Sequence, residues 1–181
     1  VDINNDGWLD IYVCYSGNKP AELRKNQLFI NKGKDKSGTI RFEEEAEKFG
    51  IADDSFTTTA GFLDFDNDGD LDLFVLNHNL RGYQRKEAAQ MRESRDEYAG
   101  DKLFENQNGK FVDVSEKAGI KANPMGFGLG LAFGDVNHDG WTDIYVTNDY
   151  VEDDYLYINQ KNGVFKEAIK EHLGHTSQFS M

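Results

Sequence analysis

The chain has 181 residues, of which 38% are hydrophobic and 13% aromatic, with only two prolines; this is globular material, not a disordered tail. A formal net charge of −13 weighs against nucleic acid or an anionic membrane surface as partner. No run of about 18 apolar residues occurs, so no direct membrane insertion by a helix is expected.

Read in chain order, the first element is an acidic loop, Asp2-Ile-Asn-Asn-Asp-Gly-Trp-Leu-Asp10. The apolar run Ile11–Tyr15 follows, too short for a helix and rich in strand formers. It contains Cys14, the only cysteine, which reads as a buried small hydrophobe with no disulfide or metal role. Strands are expected at Leu28-Phe-Ile-Asn31 and Ile40-Arg-Phe42, and the unit ends near Gly50-Ile51. Ser55, Thr57, Thr59 and Gly61 then place small residues on one face of a strand leading into a second loop, Asp64–Asp72, and a second apolar run, Leu73–Leu76.

Residues 78–100 interrupt the pattern. Within them Arg81–Tyr98 reads as helical, because the stretch from Glu87 carries strong helix formers and no breaker. Its five basic and four acidic residues nearly cancel, so it is no nucleic-acid patch. The order then resumes with Leu103-Phe-Glu-Asn106, Lys110–Val112 and Gly119-Ile120. Gly126, Gly128, Gly130, Ala132 and Gly134 alternate with Phe127, Leu129, Leu131 and Phe133. A strand face so bare marks a close backbone approach. A third loop, Asp135–Asp143, is followed by strands at Ile144–Thr147, Leu156-Tyr-Ile-Asn159 and Gly163–Phe165. Between them Asp149, Glu152, Asp153 and Asp154 read as a solvated acidic turn, although a glycosidase could use such carboxylates. The tail Thr176–Met181 puts Phe179 where Phe56 and Phe127 stood.

The copies of the loop begin 62 and 71 residues apart, and the same blocks follow each in the same order. Such a repeat of short strands is the signature of all-β propeller blades, four-stranded antiparallel sheets, here about three repeats of a larger ring with one short helical insertion. A β-sandwich would also use short strands, but it does not explain the fixed block order. The chain is read as a single partial propeller domain, 1–181. Blade one, 1–54, lacks its innermost strand; blade two, 55–123, carries the insertion at 78–100; blade three is 124–174; residues 175–181 begin the next innermost strand.

The loop pattern Asp-x-[Asp/Asn]-x-Asp-Gly-x-x-Asp sets oxygens at positions one, three, five and nine. Calcium takes six to eight hard oxygens, and a chain wrapped tightly round the ion presents alternate residues inward. The candidate side-chain ligands are Asp2, Asn4, Asp6 and Asp10; Asp64, Asp66, Asp68 and Asp72; Asp135, Asn137, Asp139 and Asp143. Gly7, Gly69 and Gly140 permit the sharp turn. Trp8, Asp70 and Trp141 at position seven are expected to offer backbone carbonyls, with the Asp70 carboxylate pointing away. Three calcium ions would bring the formal charge from −13 to −7. An EF-hand needs a bidentate Glu at position twelve, where Val13, Val75 and Val146 stand inside strands; magnesium prefers waters to this many carboxylates. His138 falls at a non-ligand position and should point outward.

The loops, the Leu-aromatic-x-Asn strands, residues 130–148 and the closing His175–Met181 resemble FG-GAP repeats, the calcium-loop blades of integrin α-subunit propellers and of bacterial surface proteins with VCBS repeats. The closest resemblance is to the propeller part of ASPIC/UnbV-type proteins; the insertion at 78–100 departs from it. The resemblance implies adhesion, surface binding or association with glycan-handling systems, and no catalytic residues. In a four-stranded meander the metal loops form the first turn. The insertion, Tyr15–Lys25 and Asp149–Asp154 form the second, on the opposite face, which resembles the ligand-binding side of integrin-type propellers. The expected function is a calcium-stabilised binding scaffold for a protein or glycan, extracellular, at the cell surface or periplasmic. The alternative is a non-catalytic or catalytic part of a glycan-active enzyme.

Overall fold

The computed structural model describes residues 1–80, 88–150 and 152–173. The expected further strand at 175–181 lies outside them. Eleven strands form among the described residues: β1 Ile11–Val13, β2 Gln27–Lys34, β3 Ile40–Glu44, β4 Thr57–Leu63, β5 Asp72–Asn77, β6 Lys102–Asn106, β7 Phe111–Asp113, β8 Gly128–Gly134, β9 Asp143–Asn148, β10 Tyr155–Asn159 and β11 Phe165–Glu167. They make three antiparallel meanders, β1-β2-β3, β4-β5-β6-β7 and β8-β9-β10-β11. This is the propeller-blade arrangement the block order implies, with each block falling on one strand.

Alternation along β5 explains why its six residues are all buried. Successive side chains leave a strand on opposite faces. Leu73 and Val75 enter a cluster with Leu28, Ile30 and Ile51 of the first sheet. Phe74 and Leu76 enter another with Ile144, Val146 and Tyr157 of the third. Blade two is thus the filling of a sandwich. Each fully buried Leu, Val or Phe contributes about 1.5–3 kcal/mol on burial, and β5 contributes on both sides.

The small-residue stripes have a different cause from the one expected. Backbone meets backbone at the start of the second stripe, where Asn79 N donates to Gly126 O at 3.0 Å; farther along, glycines receive side chains. A Cβ on Gly128 would lie 2.4 Å from Leu76 Cδ1, and one on Gly61 would lie 2.5 Å from the Phe133 ring. Blade two therefore inserts Leu76 into blade three, and blade three returns Phe133 over Gly61.

Among the described residues there are also a 3-10 turn at Ala21–Leu23 and three one-turn α-helices: α1 Ala46–Phe49, α2 Ala88–Arg92 and α3 Ile169–His172. Gly50 closes α1 in the left-handed region, with φ 88°, the position where glycine is favoured. The helical reading of Arg81–Tyr98 is corrected. Helix is present only at Ala88–Arg92, residues 81–87 lie outside the described residues, and beyond Arg92 the chain turns. Asp96 Oδ1 accepts the N–H groups of Tyr98 and Ala99, both at 2.9 Å. Arg95 Nη1 donates to Ile120 O at 3.0 Å and Asp96 N to Ala122 O at 2.7 Å. These ties outside the segment outweigh its helix propensity. Cys14 is half-buried, and burial pushes its thiol up to about 11.

Candidate metal centre and the opposite face

All three Asp loops are folded alike. Position six is left-handed in each (Gly7 φ 85°, Gly69 φ 93°, Gly140 φ 85°), and so is position four (Asn5 54°, Asn67 60°, His138 60°). Asparagine tolerates that region better than most residues, which suits two of the three. The carboxylate at position one accepts the glycine N–H, at 2.9 Å for Asp2, 3.1 Å for Asp64 and 2.8 Å for Asp135. The carboxylate at position five accepts the N–H of position seven, at 2.8, 3.0 and 3.0 Å for Asp6, Asp68 and Asp139. Position three accepts the N–H of position five through Asn4, Asp66 and Asn137. His138 is exposed, as expected of a residue outside the ligand set.

Position nine has an additional part that sequence reasoning missed. Asp10, Asp72 and Asp143 are buried, and each uses both oxygens on backbone. One accepts the N–H of position two: Ile3 at 3.0 Å, Phe65 at 3.1 Å, Val136 at 3.0 Å. The other accepts the N–H of the asparagine ending the Leu-aromatic-x-Asn strand: Asn31, Asn106 and Asn159, each at 2.8 Å. Those asparagines return a side-chain N–H to the carbonyls of Leu9, Leu71 and Thr142, each at 3.2 Å. A clamp therefore joins every loop to the Leu-aromatic-x-Asn strand of its own sheet, β2, β6 or β10. The Asn repeated in each Leu-aromatic-x-Asn block is its partner visible in the sequence.

A matching clamp closes the far end of the sheets. Asn77 N donates to Asp101 Oδ1 at 2.9 Å, Asn148 N to Asp154 Oδ1 at 2.8 Å, and Tyr15 N to Asn26 Oδ1 at 2.7 Å. The signal was in the sequence: each acceptor stands two residues before the Leu of Leu-aromatic-x-Asn. The acidic turn is accordingly not a solvated loop. Glu152 and Asp154 are 3% and 2% exposed. Glu152 is held by Arg92 Nε at 2.7 Å and by Tyr155 OH at 2.7 Å.

Loop two differs from the other two in electrostatics. Carboxylate oxygens of Asp64, Asp66 and Asp72 lie within 4.8 Å of one another, the one such group among the described residues. Asp64 Oδ1 and Asp70 Oδ1 are buried without a hydrogen-bond partner. Burial, then repulsion from Asp68, Asp66 and Asp64, pushes the Asp70 carboxyl up to about 6; burial pushes Asp72 up to about 7, against the backbone N–H groups of Asn106 and Phe65. The Asp70 carboxylate stands outside the Asp64–Asp66–Asp72 group. The donor set of this loop, crowded hard oxygens with two unsatisfied, fits a hard dication. Loops one and three bring fewer carboxylates together. There Asn4 and Asn137 donate Nδ2 to the second oxygen of Asp6 and Asp139, at 3.0 and 3.1 Å.

At the other end of the inner strands, just before β4 and β8, stand Phe56 and Phe127. The Arg24 guanidinium lies over the Phe56 ring, 4.5 Å from its centroid. Phe127 meets His78 edge-on at 5.1 Å and Tyr150 at 4.9 Å. Ser16 Oγ is 2.6 Å from His78 Nε2. One residue or more from each sheet thus reaches the same spot, and Tyr150 is 54% exposed with φ 68°. A left-handed backbone at a bulky residue costs energy and commonly accompanies a functional surface.

A scan of known families matches FG-GAP-like repeats at residues 2–75, 94–146 and 135–180, well over half of the chain, with all three Asp loops inside the matches. No curated protein matches the sequence.

Proposed function

The chain belongs to the FG-GAP-like repeat family, and from that membership we propose a calcium-stabilised β-propeller scaffold that binds a protein or glycan through the face opposite its Asp loops. Repeats of this family suggest a propeller-like binding scaffold, are generally non-catalytic and often bind calcium. The observation carrying the calcium reading is the pair of buried, unpartnered oxygens on Asp64 and Asp70 beside the Asp64–Asp66–Asp72 group. A desolvated carboxylate oxygen without a donor is costly, and a dication at that point offsets the cost.

In this reading three ions are held by Asp2, Asn4, Asp6 and Asp10; by Asp64, Asp66, Asp68 and Asp72; and by Asp135, Asn137, Asp139 and Asp143, with carbonyls of Trp8, Asp70 and Trp141. A bound ion supplies positive charge to oxygens that otherwise repel. The chain's own residues do the rest: the glycines turn the loop, and position nine ties it to the sheet. Extracellular modules bind calcium at about 10⁻⁴–10⁻³ M, so the proposed location is outside the cytosol: extracellular, on the cell surface or periplasmic. Residues 130–148 support an ASPIC/UnbV-type propeller, of which the blades at 1–54, 55–123 and 124–174 would be part. Among the described residues, no helix is long and apolar enough to cross a membrane.

Tyr150, Phe127, His78 and Ser16, where an exposed aromatic stands over polar groups, support this choice of ligand face. The competing reading, a catalytic part of a glycan-active enzyme, has less to draw on, since two of the four carboxylates of the acidic turn, Glu152 and Asp154, are engaged by Arg92, Tyr155, Asn148 and Tyr145. The deciding experiment is a thermal melt of the protein in calcium and in EDTA. A higher melting temperature in calcium is expected; coincident melts would remove calcium from the scaffold.

A further inference from the structure

Asn26, Asp101 and Asp154 hold equivalent positions, two residues before the Leu of each Leu-aromatic-x-Asn strand. Each accepts a backbone N–H at the far end of its sheet, but only two of the three side chains are fully used. Asn26 also donates Nδ2 to Thr57 Oγ1 at 3.0 Å, and Asp154 Oδ2 accepts Tyr145 OH at 2.9 Å. Phe74 stands in β5 where Tyr145 stands in β9, two residues past the ninth loop position, and brings no hydroxyl. Asp101 Oδ1 accepts Asn77 N at 2.9 Å, and among the described residues nothing donates to its Oδ2. The residue is 5% exposed and lines a cleft of about 1080 Å³ along β6 and β7. Asn77 itself has a buried Oδ1 without a partner, whereas the equivalent Asn148 Oδ1 accepts Phe127 N at 3.0 Å. A desolvated carboxylate oxygen without a donor is costly, and burial pushes the Asp101 carboxyl up to about 8.

We infer that this cleft binds an aliphatic primary amine, with the ammonium seated on Asp101. Six of its lining residues are acidic and three basic, so the cleft attracts cations. Its own cations are turned elsewhere. Arg95 Nη1 donates to Ile120 O and Lys102 Nζ to Asp53 Oδ1, and no basic side chain pairs with Asp101 among the described residues. A guanidinium prefers two parallel carboxylate oxygens, and here Asn77 already occupies one. A metal ion needs several converging oxygens, and the one such carboxylate group among the described residues lies in loop two. An ammonium is a compact charge with three donors that a single oxygen can anchor, and Val112 and Val114 line the same cleft beside its aliphatic stem. Polyamines and lysine side chains share this chemistry.

Backbone amide NMR of the protein titrated with spermidine, in excess calcium to keep amines off the Asp loops, tests the site. Shifts are expected at Asn77, Asp101 and Ala122, which lines the cleft beside Asp101. Asp101→Asn keeps an acceptor for Asn77 N, as Asn26 does for Tyr15 N in the first sheet, and should weaken spermidine about tenfold or more. An acetylated Gly-Lys-Gly amide, titrated in parallel, separates the two sources. Tighter binding of the peptide identifies a lysine of a partner protein, and tighter binding of spermidine a free polyamine. Failure of both probes to move Asn77, or shifts confined to the Asp loops, overturns the proposal. Binding of both by Asp101→Asn as tightly as by the wild type overturns it too. The Asn77 signal is independent of the calcium reading, which the melts in calcium and EDTA decide.

Discussion

The backbone N–H of Asn159 donates to Asp143 Oδ1 at 2.8 Å, while Oδ2 of that carboxylate accepts the N–H of Val136 at 3.0 Å. A residue proposed as a metal ligand is therefore also a joint between loop and strand. Asparagine at this position offers one acceptor where two are used and leaves a buried N–H facing an amide. Asp143→Asn should cost about 1–3 kcal/mol even in EDTA, several degrees of melting temperature at this chain length. Asp139, whose partners are the Trp141 N–H, the Asn137 amide and the half-exposed Lys161 ammonium at 3.3 Å, provides the contrast: Asp139→Asn should matter in calcium and hardly in EDTA. Equal melts of the two variants in EDTA would show that position nine has no separate structural part.

Calcium stabilisation should be divisible among the loops. An ion at about 100 times its dissociation constant adds about 2.7 kcal/mol per site. Asp68→Ala should remove one such increment and reduce, without abolishing, the difference between melts in calcium and EDTA. If Asp68→Ala leaves that difference whole, loop two does not bind the ion that stabilises the fold.

Acidity has an unusual sign in the metal-free protein. Burial pushes Asp101 up to about 8, and Asp72 and Asp70 stand at about 7 and 6, against about 3.9 for an unfolded aspartate. The folded chain then binds more protons than the unfolded one between these values. The contribution is complete below about pH 4 and is lost as pH rises through about 6, 7 and 8. In EDTA the melting temperature should climb as pH is lowered from 8.5 to 6. Asn26 occupies the place of Asp101 in the first sheet, accepting Tyr15 N at 2.7 Å. Asp101→Asn should therefore fold and flatten the upper part of the pH profile; a variant profile as steep as the wild type would rule out Asp101 as its source.

The segment bearing Arg92 should be energetically part of blade three. Arg92 Nε meets Glu152 Oε2 at 2.7 Å, with the Glu152 side chain 4% exposed and that of Arg92 43%. Arg92→Ala leaves a buried carboxylate with less compensation, at about 1–3 kcal/mol, the lower part of the range for buried pairs because the arginine is half in water. Glu152→Gln in the same chain should recover part of the loss. A double-mutant cycle with no coupling between the two positions would contradict this.

Much of the sheet structure is legible because it repeats. Ile11, Leu73 and Ile144 open short β-forming runs after loops of one pattern, and the run Leu73–Leu76 is apolar at every position because both faces of β5 are covered. Local patterns mislead where the deciding partner is distant. The helix formers after Glu87 do not carry the helix past Arg92, since Arg95 and Asp96 are drawn to Ile120 and Ala122. Glu152 looks like solvent-facing charge until Arg92, sixty positions away, is beside it. Position nine was read as a ligand only, because a carboxylate that accepts two backbone N–H groups and one that faces an ion have the same spelling.

In the calcium reading, the double use of Asp10, Asp72 and Asp143 separates two properties that the loop motif fuses. Loss of the residues at positions one, three and five removes oxygens for an ion but leaves the joint to Asn31, Asn106 or Asn159 untouched. A repeat can thus drift out of metal binding one substitution at a time while its sheet persists, and ion occupancy can be tuned, blade by blade, without rebuilding the ring.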